Sequence, residues 1–123
     1  MTIPSTAAKF SAIMDPHEEL DWRVPFETIL EDGEAVAAGA WVLETLPEAA
    51  ALGLTIMTGS GRDPELTVDG RGLLFWATID PLFQDNAAFE DAVVYLPLRV
   101  TFPTDALPAR KRQRTFLIGV SQQ

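Results

Sequence analysis

Cysteine is absent from the 123-residue chain, and histidine occurs once, at His17. The first absence excludes disulfide staples and thiolate metal sites, and with them any trace of redox compartment. The second leaves the serines and threonines without a ready general base, because nucleophilic catalysis needs a hydroxyl or thiol beside a group such as imidazole. Bases are scarce as well: nine lysines and arginines stand against eighteen acids, for a formal net charge of -9. A surface of that sign repels phosphate backbones, so no nucleic-acid partner is expected. No apolar run approaches the ~20 residues that cross a bilayer as a helix, and no membrane partner is expected either. The opening MTIPSTAAKF lacks the charged-then-apolar order of an export signal, so cytoplasmic synthesis without export is the expectation.

What is present suffices for one packed core. Hydrophobic residues make up 47% of the chain and charged residues 22%, the balance of a globular domain and not of a disordered one. The clearest stretch is VVYLPLRVTF, from Val93 to Phe102. Val94, Leu96, Leu98, Val100 and Phe102 take every second position, which in an extended strand lays five large apolar groups on one face. Phe116, Ile118 and Val120 alternate again in TFLIGV, and the basic, turn-like segment from Ala109 to Arg114 joins the two runs as a β-hairpin.

Upstream, residues 1–14 carry only scattered large apolar groups and read as an amino-terminal arm, with residues 15–123 forming the domain. Asp15-Pro16 marks a turn, after which Trp22, Val24 and Phe26 alternate in a strand that Pro25 confines to an edge or bulge. Glu31-Asp32-Gly33 is a second turn. A strand is expected next, with Val36, Ala38, Ala40 and Val42 on one face and Trp41 and Leu43 on the other. LPEAAALG suits one or two helical turns starting at Pro47, and LTIMTGSG and ELTVDGRG read as short strands. Leu73 to Ile79, LLFWATI, is apolar on both faces apart from Thr78, as in a strand buried on both sides or one whose outer face another subunit covers. A long connection with aromatic plugs at Phe83 and Phe89 and a helical turn from Asn86 leads to the central strand, with Tyr95 near its start like the corner tyrosine of immunoglobulin-like sandwiches. About seven strands between turn signals predict an all-β, antiparallel sandwich with one short helical connector.

Chemistry-bearing patterns are thin. His17 lies near Asp15 and Glu18, but one histidine in an acidic turn reads as a solvated turn before it reads as a metal site. Asp80, Asp85, Asn86, Glu90 and Asp91 do not follow the spacing of a calcium loop, and GSGRDP lacks the lysine and helix of a phosphate loop. No metal, no cofactor and no enzymatic activity are therefore expected. Arg110, Lys111, Arg112 and Arg114 gather the positive charge, while acids dominate from Asp15 to Glu48. The cluster reads either as a solvated hairpin tip or as a contact for an acidic neighbour, a further copy of the chain included.

Residues 9–41, KFSAIMDPHEELDWRVPFETILEDGEAVAAGAW, resemble the opening of phage fibre-tail adaptor proteins, at Phe10, Asp15, Pro16, Leu20, Asp21, Trp22, Val24, Phe26, Leu30, Asp32, Val36 and Trp41. The aromatic-led strand YLPLRVTF and the close RTFLIGV resemble that family's end. The chain departs from the pattern in its strongly basic turn ARKRQR and in the segment from Glu44 to Gly72, which matches nothing in the family. The resemblance implies an immunoglobulin-like sandwich in the virion of a tailed phage, made in the host cytoplasm. It implies several copies around the neck or tail, joining tail fibres to the particle without catalysis. Expected partners are other virion proteins (tail, neck or connector subunits and the fibre) and copies of itself in a ring, with an interface at Phe10, Phe75, Trp76, Arg110, Lys111 and Arg112. The alternative expectation is a carbohydrate-binding module that presents Trp22 or Trp41 to a glycan.

Overall fold

A computed structural model describes residues 7–37 and 39–123. The strands run in order β1 Ala8–Met14, β2 Glu19–Pro25, β3 Val42–Thr45, β4 Leu54–Ile56, β5 Glu65–Leu66, β6 Gly72–Ile79, β7 Val94–Pro103 and β8 Lys111–Val120. One short helix, α1 Pro47–Ala50, follows β3, and 3-10 turns at Pro81–Phe83 and Ala87–Phe89 precede β7. The first sheet has the order β1-β8-β7-β3, and the second β2-β6-β4 with β5 also on β6. Because β2 runs the whole length of one edge of β6, β4 and β5 share its other edge end to end.

Of the five residues that alternate in β7, Leu96, Leu98, Val100 and Phe102 are buried and Val94, at the strand's start, is partly buried against the core; Phe116, Ile118 and Val120 of β8 are buried as well. These residues meet the inward side chains of the second sheet, Trp22, Val24, Leu73, Phe75 and Ala77, in one apolar cluster. Phe26 and Phe102 join the two layers with ring centroids 4.7 Å apart. The architecture is therefore all-β, two four-stranded sheets packed over a shared core in a sandwich-like arrangement.

Three expectations need correction. The supposed arm over residues 1–14 is a strand from Ala8 onward, paired parallel to β8, so the domain begins before residue 15; residues 1–6 lie outside the described residues. Among the described residues the strands accordingly number eight, and they are not all antiparallel. Phe10 and Met14 anchor this strand: Met14 is fully buried, and the Phe10 ring lies 5.0 Å from Trp22 and 5.9 Å from Phe116. The strand expected over residues 36–43 is reduced to the four residues of β3, with Val36 held by a single bridge to Thr104. Gly39, at φ +80°, breaks the run; Val36 is then buried while Val42 is 55% exposed, so the two do not share a face. Ala38 lies outside the described residues.

Register separates the molecule into two ends. At one, Val120 pairs with both Val94 and Met14, Gln122 N–H bonds Phe89 O, and Gln123 N–H reaches Asp15 Oδ2 at 2.9 Å. The β1–β2 turn, α1 and both 3-10 turns therefore gather at this end. At the other, Pro103 pairs with Lys111 and the connection between β7 and β8 closes the hairpin.

Candidate interaction surface

The hairpin end is built by clamping the acidic turn that follows β2 onto the β7–β8 connection. Thr104, 1% exposed, donates its N–H to Arg110 O at 2.8 Å, and its hydroxyl accepts Arg110 N–H at 3.1 Å. Asp105 N–H bonds Ala35 O, Ala35 N–H returns to Asp105 Oδ1 at 2.9 Å, and Ala37 N–H bonds Pro103 O. Glu34 sits beneath, 6% exposed. Its carboxylate accepts the Glu31 N–H at 3.2 Å and the Arg110 guanidinium at 3.0 Å, and Arg110 also reaches Glu31 at 3.3 Å. The Glu31 N–H, the Thr104 hydroxyl and the Arg110 charge hold the Glu34 carboxyl below the usual range, against the opposing effect of burial. Arg71 ties the turn from the other side by donating to the carbonyls of Glu31 and Glu34. A polar cavity of about 310 Å³ opens between Glu31, Glu34, Asp105 and Arg110.

Beside this clamp, on the outer face of the first sheet, lies an apolar cleft of about 320 Å³ lined by Ala40, Val42, Thr101, Phe102, Pro103 and Lys111. Partners across an antiparallel ladder share a face, so Val42 and Thr101 form one row and Pro103 and Lys111 the next. The cleft exists because β3 is short. It pairs only with Leu98 to Thr101, the stretch between the two prolines of β7, and stops before Pro103. Glu44 Oε1 accepts the Arg99 Nε–H at 3.2 Å and lies 3.2 Å from Nη2 as well, and this ion pair ties β3 to β7. The cleft is thus a rigid apolar groove with one ammonium group on its rim.

The expected interface residues do not form one patch. Phe75 is 1% exposed and packs between the sheets, 6.3 Å from the Phe10 ring, so it cannot face a partner. Phe10 is half-buried in the same aromatic group and belongs to the core. Trp76 does lie on the outer face of the second sheet, opposite Asp21, but Arg62 stacks 4.7 Å from its ring centroid and is itself paired with Glu19. Of the basic cluster, Arg110 is spent on Glu31 and Glu34, and Arg112 turns inward to donate to Ile29 O at 3.2 Å. Lys111 alone of these six lines the cleft. The basic residues from Lys111 onward begin β8 and are not a loop tip; strand alternation sends neighbouring cations to opposite faces.

The tryptophans proposed for a glycan are also displaced. Trp22 is 6% exposed beneath Phe10, and Trp41 packs against the core. Among the described residues no cluster of three or more histidines and carboxylates is arranged to hold a metal; His17 instead meets Asp85, 3.2 Å away. Residues the sequence reading passed over are Val42 and Pro103 in the cleft, and two nearly fully exposed leucines, Leu82 at 90% and Leu107 at 97%. Pro103 was the available signal, since a proline in a strand marks a place where the ladder stops. No family model, no curated protein and no solved structure matches the chain.

Proposed function

We propose that the chain is a structural protein of a tailed-phage virion, an adaptor in the neck or tail that joins fibres to the particle through protein contacts alone, on an immunoglobulin-like sandwich. The observation that carries this reading is the groove at the hairpin end, where exposed Val42 and the Lys111 ammonium stand on a base locked by Glu34, Arg110 and Thr104. An apolar centre with a charged rim on a preorganised support is what protein docking requires. The positions that resemble the fibre-tail adaptors support it as well. Trp22, Val24, Phe26, Leu30 and Val36 line the core, and Asp15 ties the first turn to the last residue.

The test is to purify particles of a phage that carries the gene and quantify the chain by mass spectrometry. The adaptor reading expects several copies per particle, and expects Val42→Glu combined with Lys111→Glu to be folded but excluded. Particles that lack the wild-type chain would overturn it.

A further inference from the structure

The hairpin-end groove has a complement at the far end of the same molecule. The segments gathered there, residues 15–18, 46–53, 80–93 and 121–123, hold seven carboxylates and no lysine or arginine. From their midst Leu82 projects, 90% exposed, because the 3-10 turn Pro81–Phe83 directs Phe83 toward the core cluster and leaves its neighbour outside. The turn is rigid: Asp80 Oδ1 caps it by accepting Leu82 N–H at 3.0 Å, and Asp80 N–H bonds Gly53 O at 2.8 Å. Asp80 and Asp85 flank the leucine in sequence, and the Asp85 side chain is 89% exposed.

We propose that Leu82 of one copy enters the groove between Val42 and Pro103 of a second copy, with Asp80 and Asp85 facing its Lys111. The inference rests on reading the groove as a protein-docking surface and adds its occupant. Chemistry matches on both counts, apolar knob to apolar groove and carboxylates to ammonium. The groove, about 320 Å³, is large enough to take a leucine side chain. Val68 and Leu107, the other nearly fully exposed large apolar side chains among the described residues, sit at the groove's own end, so a contact made through them would not bring the far end's carboxylates to Lys111.

Knob and groove lie at opposite ends of the ten-residue strand β7, about 30 Å apart, so no copy can satisfy itself. Each copy offers one of each, and the contact is heterologous: it propagates as a ring if the rotation closes and as an open row if it does not.

Sedimentation velocity of the full chain tests this. Wild type should show a mass that rises with concentration at about 0.05 M salt and falls toward monomer at about 1 M, where screening is nearly complete. Leu82→Asp removes the knob, and Val42→Glu with Lys111→Glu removes the groove. All three sites are on the surface, and each variant alone should be monomeric, with association weakened at least about tenfold. Mixed in equal amounts, the two variants should form a heterodimer and nothing larger, because one intact knob meets one intact groove. A wild type that stays monomeric at low salt up to about 1 mM, where even a weak contact of ~4 kcal/mol would show, overturns the proposal. So does either variant forming the wild-type oligomer, or a mixture that stays monomeric. If the mixture fails while particles still take up wild type and exclude the groove variant, the copy-to-copy contact falls and the adaptor reading stands.

Discussion

Two adjacent substitutions in β6 probe the placement of its side chains. Phe75 is 1% exposed, opposite Trp22 in the ladder and between the sheets, whereas Leu74 is 40% exposed on the outer face opposite Arg23. Phe75→Ala removes a buried ring from a close-packed site and should cost about 3–5 kcal/mol. Leu74→Ala should cost less than about 1 kcal/mol. At ~2.1 cal/mol/K per residue, unfolding 123 residues carries an entropy near 0.26 kcal/mol/K, so a 4 kcal/mol loss lowers Tm by roughly 15 °C. Leu74→Ala should move it by no more than about 4 °C. Thermal melts followed by circular dichroism, with denaturant midpoints as a second reading, measure both. A strand slipped by one residue would exchange the two faces, so equal costs or a reversed order would refute the assignment. The same reasoning makes Phe75→Glu an unfolding substitution, not a test of docking.

Other perturbations bear on separate parts of the molecule. The carboxyls of Glu34, Asp15 and Glu27 are held below their ordinary values, led respectively by the Glu31 N–H, the Gln123 N–H and the Arg23 guanidinium. A depressed carboxyl contributes stability that is complete above its unfolded value and lost as pH falls through the folded one. Tm should therefore hold from neutral pH down to about 4.5 and then fall. Glu34→Gln should flatten that fall, and an unchanged acid limb would contradict the clamp. Gly53 and Gly59 both have positive φ, +85° and +77°, but a Cβ on Gly53 would lie 2.7 Å from the Phe83 ring while one on Gly59 meets nothing within 4 Å. Gly59→Ala should cost about 1 kcal/mol and Gly53→Ala at least about 1 kcal/mol more, read from denaturant midpoints. Arg62→Ala should uncover Trp76, raising acrylamide quenching and red-shifting emission with a stability loss below about 1 kcal/mol; unaltered fluorescence would remove the stacked arginine from the account.

Some of the fold was legible because its signal is local. Alternation in β7 and β8, the proline-led helix at Pro47 and the turn capped by Asn86 all follow from residues close in sequence. β1 was hidden because its register against β8 shifts between Lys9 and Ile13, which breaks the period that marks a strand. In LLFWATI both faces are apolar, so pattern could not tell Phe75 from Trp76; the pairing with β2 and β4 assigns them. The basic run misled for a similar reason, since charge clustered in sequence is dispersed by strand geometry. The groove was invisible because its lining comes from three distant segments, residues 40–42, 101–103 and 111. Leu82, between Pro81 and Phe83, carries no sequence signal that sets it apart from its neighbours; only the tight turn leaves it exposed while Phe83 packs against the core.

That the groove is covered in the working assembly is the claim on which the functional account depends, and amide hydrogen exchange tests it most directly. Exchange at Val42, Thr101 and Lys111 would be compared between the free chain and the intact particle. The account predicts at least about tenfold slower exchange at these amides in the particle, with the buried strand centres of β7 and β8 unchanged. Equal rates in the two states would contradict it.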